Sequence, residues 1–192
     1  MEDFQELEEA KRKLRREIRA WLAALSPADR LRRSMAIVGR LRHRLVEVSA
    51  IRVAVFSALP TEPDLSELWS MPLNLAVPKV SGETLSFWLV PERGRLTPGY
   101  RGILEPDERA CERVGIDSLD LILVPGLGFS ESDGSRLGRG GGFYDRLLSD
   151  CGVPRWGICF EEQVRSRIPA GGHDVRMEEL ITCEREVRVM EK

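Results

Sequence analysis

The sequence predicts an α/β protein, a three-layer α/β/α domain with a largely parallel central sheet, preceded by N-terminal helices. Two observations predict this. Up to Leu45 the apolar residues recur at helical spacing, and from Ile51 onward short β-branched runs alternate with brief helical pieces. No internal repeat, low-complexity linker or shift of composition divides the chain, so residues 1–192 read as one domain.

Leu7, Lys11, Leu14, Ile18, Trp21, Leu22 and Leu25 follow a spacing of three and four, the mark of an amphipathic helix, whose polar side is dense in Lys11, Arg12, Lys13, Arg15, Arg16 and Arg19. Ser26-Pro27-Ala28-Asp29 then reads as an N-cap, a proline at the first helical position and a capping carboxylate. The second helix that follows is expected to turn Leu31, Met35, Val38, Leu41 and Leu45 inward. Ile51 to Leu59 is the first strand candidate, ended by Pro60, and Thr61 to Asp64 form a polar turn. Leu65 to Trp69 suit one helical turn, and Leu73 to Val77 a second strand stopped by Pro78. Leu85 to Val90, Leu119 to Val124, Arg155 to Phe160 and Leu180 to Cys183 supply the remaining strands. Trp21, Trp69, Trp88 and Trp156 read as core residues rather than stacking platforms.

Composition narrows the function. A chain of 192 residues buries roughly 70% of its unfolded surface without disulfides. With 42% hydrophobic residues and a formal charge of −2 it is no bulk nucleic-acid binder. Cys111, Cys151, Cys159 and Cys183 form no CxxC, and the histidines are His43 and His173, so a zinc site is not expected. No apolar stretch reaches membrane length, and the chain opens on acidic residues, which reads as a cytoplasmic protein with reduced thiols.

The chemistry concentrates in RLGRGGGFYDRLL, Arg136 to Leu148, after the apolar run Leu119 to Phe129. Gly138, Gly140, Gly141 and Gly142 leave backbone that can adopt positive φ and approach a ligand closely. Peptide N–H groups in such a loop converge on anionic oxygens, Arg136, Arg139 and Arg146 add charge, and Asp145 can hold Mg²⁺. The same glycines serve a flexible turn equally well. The spacing is neither GxxxxGK[ST] nor a dinucleotide fingerprint, since Ser130 to Ser135 separate strand from glycines. In parallel sheets ligands collect at strand carboxyl ends, and Thr61 to Asp64, Pro78-Lys79 and the glycine loop all fall there.

The string PGLGFSESDGSRLGRGGGFYDRLL resembles the signature of the 5-formyltetrahydrofolate cyclo-ligases, also called methenyltetrahydrofolate synthetases. The resemblance covers nearly the whole chain: Lys11, Leu14 and Arg15, then Ser57 and Glu62, VPKV at Val77 to Val80, and GILEP at Gly102 to Pro106. It continues through FEEQ at Phe160 to Gln163, Ile168-Pro169, and HDV at His173 to Val175. It implies that Lys11, Arg15, Arg136 and Arg139, the glycine backbone of Gly138, Gly140, Gly141 and Gly142, and Phe143 and Tyr144 bind ATP. It further implies that Asp145 and Asp174 carry Mg²⁺, that Ser57 and Glu62 bind the folate, and that Arg139, Tyr144 and Asp145 are catalytic. His173, beside Asp174, is the better of the two histidines for a site, although its residue type and position suit a polar turn better. The implied reaction is MgATP-dependent closure of 5-formyltetrahydrofolate to 5,10-methenyltetrahydrofolate by a cytoplasmic monomer, with no nucleic acid or membrane partner. The formyl oxygen on N5 attacks the γ-phosphate, and N10 then attacks the activated carbon and expels phosphate. Such phosphoryl transfer asks for in-line positioning and charge neutralisation rather than a side-chain nucleophile.

The chain departs from the family pattern where Phe143-Tyr144-Asp145 stands for the frequent Tyr-Tyr-Asp, where Arg139 occupies a variable slot, and where Leu65 replaces the usual Thr. Taken as residues alone, Lys11 and Arg15 also suit a solvated helix face, Glu62 a turn cap and Asp174 a turn carboxylate. Two other function classes fit less: a non-catalytic nucleotide- or phosphate-binding module, and an RNA contact through the basic first helix, which would be strongly salt-dependent.

Overall fold

The computed structural model describes residues 2–172 and 174–189. His173 therefore lies outside the described residues. Two long helices open the chain, α1 (Glu2–Ala24) and α2 (Pro27–Glu47). Ser26 caps α2 as the sequence indicates, its Oγ accepting from the Asp29 N–H at 3.0 Å. Asp29 acts one step removed: its carboxylate accepts from the Ser26 hydroxyl and pairs with Arg32.

The strands follow in the order β1 (Arg52–Ala54), β2 (Asn74–Ser81), β3 (Thr84–Leu89), β4 (Leu96–Pro98), β5 (Leu104–Pro106), β6 (Glu112–Val114) and β7 (Leu121–Pro125). After them come β8 (Gly128–Ser130), β9 (Arg136–Leu137), the short helix α3 (Phe143–Leu148), β10 (Arg155–Ile158), β11 (Val164–Arg165), β12 (Glu179–Ile181) and β13 (Glu186–Arg188). Eight strands form the central sheet in the order β13-β12-β10-β7-β1-β2-β3-β6. The run from β12 to β2 is parallel, and antiparallel β13 on one side and β3 and β6 on the other close its edges. The mixed α/β fold with a mostly parallel sheet is the one the sequence predicts.

Alternation along the buried strands separates the two faces. Val53, Leu75, Val77, Leu121, Leu123 and Ile158 pack against Ile18 and Leu22 of α1 and Ile37, Val38, Leu41 and Leu45 of α2. Ala54, Ala76, Ile122, Val124 and Leu180 point the other way, onto Phe129 and Leu148 of α3. Trp156 is buried on the helical side, while Trp21 and Trp69 pack partly buried against that core. Trp88 is half-buried and donates its Nε1–H to Ser86.

Three expectations need correction. Leu31 and Met35 do not face inward; they are 60% and 61% exposed. The buried face of α2 runs through Ser34, Ile37, Val38, Leu41, Arg44 and Leu45, and Met35, the residue after Ser34, is turned about 100° away from it. The strand expected over Ile51 to Leu59 is paired only from Arg52 to Ala54, after which the chain leaves the sheet as a buried segment leading to Ser57. Pro78 does not stop β2. The register pairs Ala54 with Ala76, so past that point the β1 side of β2 has no ladder, and a proline there removes no hydrogen bond from the sheet.

Candidate active site

Two segments converge beyond the carboxyl ends of the central parallel strands: residues 56–62 after β1 and residues 136–145 after β7. The second arrives by a detour. β8 and β9 form a hairpin that pairs Gly128 with Leu137, and the Leu127 N–H donates to Leu137 O, which returns the chain to the tip of β7 before the glycines begin. Gln163, 1% exposed, braces the turn from behind, its Nε2 donating to the carbonyls of Gly126 and Leu127. Within the loop Gly140 and Gly142 have φ of 105° and 65°, which side-chain-bearing residues rarely adopt, and Gly142 caps α3.

A cleft of about 170 Å³ lies between these segments. Ser57, Glu62, Arg136, Gly138, Arg139, Gly141, Gly142, Phe143, Tyr144 and Asp145 line it, so most of the residues singled out in the sequence share one wall or the other. A second chamber of about 300 Å³ adjoins it, with Phe56, Ser57, Leu59 and Glu62 common to both. Lys11, Arg15, Gly140 and Asp174 are not on the cleft wall. Arg15 and Arg19 reach the glycine loop from α1, donating to the carbonyls of Gly138 at 3.0 Å and Arg139 at 3.1 Å. Lys11 sits on the apolar stripe of α1, 7% exposed, with Nζ 2.6 Å from Asp174 Oδ2, which also accepts from the Gly171 N–H.

Four of the charged groups that line the cleft form two ion pairs, Arg136 with Asp145 and Arg139 with Glu62. Arg136, its side chain 4% exposed, bonds Asp145 Oδ1 at 2.7 Å and stands over the Tyr144 ring. Arg139 Nε bonds Glu62 Oε1 at 2.8 Å and its second nitrogen reaches Thr61 Oγ1 at 3.2 Å. The other oxygen of Glu62 accepts from the Leu59 N–H. Arg146, expected to add charge to the loop, is instead a strut: it donates to Glu83 O on the β2–β3 turn and to Gly141 O. Burial, and after it the charge of Glu62, pushes the Tyr144 hydroxyl above its ordinary value against the opposing pull of Arg136, so it stays a neutral donor.

Among the described residues no group of three or more His, Cys, Asp and Glu side chains is placed to hold a metal. Mg²⁺ needs no such group, since it keeps waters and binds through one or two carboxylates together with substrate phosphates. Asp145 fits such a site, an oxygen donor on the cleft wall whose Oδ2 accepts no hydrogen bond among the described residues.

The sequence of the 5-formyltetrahydrofolate cyclo-ligase family matches residues 7–183. The chain belongs to that family. Its similarity to individual cyclo-ligases is distributed along the chain: it is 29% identical over 189 residues to the 5-formyltetrahydrofolate cyclo-ligase of Mus musculus, covering 90% of this chain and 93% of the relative. Against that of Escherichia coli (strain K12) it is 30% identical over 140 residues, 69% and 76% of the two chains. The NMR structure of Aquifex aeolicus 5,10-methenyltetrahydrofolate synthetase superposes with a TM-score of 0.84 at 31% identity, over 95% of this chain and 94% of that one. The synthetase from Mycoplasma pneumoniae shares the fold, with a TM-score of 0.73 at 22% identity over 91% and 99% of the chains. No helix among the described residues is long and apolar enough to cross a membrane.

One cleft residue of this cyclo-ligase was not singled out from sequence. Glu105 is 6% exposed and lines the cleft. Its only sequence signal is its place in GILEP.

Proposed function

We propose that the cleft binds 5-formyltetrahydrofolate beside MgATP and closes the folate ring to 5,10-methenyltetrahydrofolate, releasing ADP and phosphate. The observation that supports this most directly is the Arg139–Glu62 pair, which joins the glycine loop to the segment after β1 at 2.8 Å, so that groups bound to the two segments are neighbours. The phosphates of ATP are assigned to the backbone of Gly138 to Gly142, with Lys11 and Arg15 on its α1 side and Arg136 at its root. The folate is assigned to the cleft along Ser57 and Glu62.

In this reading the loop holds the γ-phosphate in line with the formyl oxygen, and Arg139, oriented by Glu62, faces the charge that spreads over the transferring phosphoryl group. The oxygen of the formyl group forms the new O–P bond as ADP leaves. N10 then bonds the formyl carbon, loses its proton, and phosphate departs with the former formyl oxygen. Tyr144, neutral throughout, donates a hydrogen bond to the phosphate oxygens. Asp145 is the magnesium ligand, with Asp174 the second carboxylate that the family resemblance suggests. When bound, Mg²⁺ neutralises charge on the phosphate oxygens. The enzyme is taken to work as a monomer, and in the cytoplasm, where thiols such as its four free cysteines stay reduced.

The test is to mix the protein with 5-formyltetrahydrofolate and MgATP and follow the methenyl product by its near-ultraviolet absorbance, omitting ATP in a control. ATP-dependent product is expected. ATP binding with no product would favour a non-catalytic nucleotide-binding module.

A further inference from the structure

Three carboxylates line the cleft, and they are not equivalent. Glu62 has Arg139 on one oxygen and the Leu59 N–H on the other, and Asp145 has Arg136. Glu105 has no cation within 4.0 Å among the described residues; its Oε1 accepts one backbone N–H, that of Val80 at 3.2 Å, and its Oε2 accepts none. Gly99 packs directly on that carboxylate, where a Cβ would stand 2.2 Å from Oε2. A buried carboxylate served by a single neutral donor is costly to leave unsatisfied, and here it opens on a cleft whose adjacent wall is apolar: Val80, Leu85 and Ile103.

We propose that Glu105 is a specificity-determining residue of this enzyme, accepting the adjacent 2-amino and N3–H hydrogens of the pterin ring while Val80, Leu85 and Ile103 cover the ring's face. The proposal rests on the folate reading given above and deepens it. A carboxylate offers only acceptors, Oε2 and the second lone pair of Oε1, and the pterin presents two donors side by side at that edge. The adenine ring of ATP presents a donor beside an acceptor, so the same carboxylate would face one lone pair with another. Glu62, to which the resemblance gives a folate contact, already carries Arg139 on one oxygen and the Leu59 N–H on the other, so of the two Glu105 has more acceptor capacity to spare. The backbone bond to Val80 gives Glu105 a structural duty as well, but a glutamine would perform it equally.

The test measures dissociation constants of 5-formyltetrahydrofolate and of its 2-deamino-2-methyl analogue, each by fluorescence titration without turnover, on the wild type and on Glu105→Gln. Wild type should bind the analogue roughly tenfold to a hundredfold more weakly than the parent. Glu105→Gln should lose a similar factor for the parent, bind the analogue as wild type does, and keep its ATP affinity. Equal affinity of wild type for the two folates overturns the proposal, and that arm needs no variant and so stands even if Glu105→Gln fails to fold. Equal losses for parent and analogue in the variant overturn it too, as does weakened ATP with unchanged folate. Wild type that turns over 5-formyltetrahydrofolate but does not discriminate the analogue sinks this inference alone. Wild type that neither binds nor converts the parent sinks the functional reading and the inference with it.

Discussion

Arg139 and Glu62, 77 residues apart in the chain, form an ion pair in which Nε lies 2.8 Å from Oε1, with the Glu62 residue 7% exposed. The pair spans the cleft at the junction of its two chambers. A glycine loop with two residues at positive φ has little rigidity of its own, so contacts from outside set its position. Arg15 and Arg19 hold it from α1, Arg146 from the β2–β3 turn, and the Arg139–Glu62 pair holds it from the segment after β1.

If the pair acts as a unit, breaking it from either side costs the same thing. Arg139→Ala and Glu62→Gln should each lower kcat/KM about tenfold or more. The double variant should be little worse than either single one, giving a coupling energy of about 1 kcal/mol or more in a double-mutant cycle. Additive losses would show that the two side chains act on separate ligands.

Asp145 carries a different duty. Asp145→Asn keeps the size of the side chain and an acceptor for Arg136, so the fold should survive with a small loss of melting temperature. Turnover should fall by about a hundredfold or more, and the magnesium concentration for half-maximal rate should rise. Wild-type turnover with an unchanged magnesium dependence would remove Asp145 from the site.

The Tyr144 hydroxyl is held above its ordinary value by burial first and by Glu62 second, so it does not ionise in the range where the enzyme is assayed. Tyr144→Phe should therefore lower kcat without moving the alkaline limb of the pH–rate profile. A limb present in the wild type and lost in Tyr144→Phe would mean that this hydroxyl titrates during turnover.

Much of this arrangement is legible in the sequence because it is local. The sequence counts Lys11 both in the repeat of α1 and on its basic side, and the structure decides for the buried position, while Ser26-Pro27 mark the start of α2. The long buried strands carry their own signal in β-branched runs. What the sequence hides is non-local or short. Strands of two or three residues, such as β8 and β9, have no period to detect, yet their hairpin decides where the glycine loop lands. Charges are visible but partners are not: Arg136, Arg139 and Arg146 look alike in the sequence, and the fold gives them a carboxylate at the cleft root, a carboxylate across the cleft and a backbone carbonyl on a distant turn. Glu105 lies in a strand of three residues and becomes a cleft residue only through the pairing of β4 with β5 beside β2.

The sheet that supports the cleft has its own acid-sensitive clamp. Asp120, just before β7, accepts the N–H groups of Arg52 at 2.7 Å and Ile51 at 2.9 Å, and returns its own N–H to Arg52 O. These two backbone bonds, Arg52's first, hold its carboxyl below the usual aspartate value against a small opposing effect of burial. The folded protein thus binds fewer protons at this position than the unfolded chain, so the stabilisation is complete above the unfolded value of about 4 and drains away as pH falls through the folded value. Asp120→Ala should cost about 1 kcal/mol at pH 7, discounted for the exposure of the site, read as a lower urea midpoint. The gap between variant and wild type should hold steady down to about pH 5 and narrow below about pH 4. A gap that widens in acid would mean that Asp120 stabilises the sheet as a neutral group, and that the clamp on β1 does not depend on its charge.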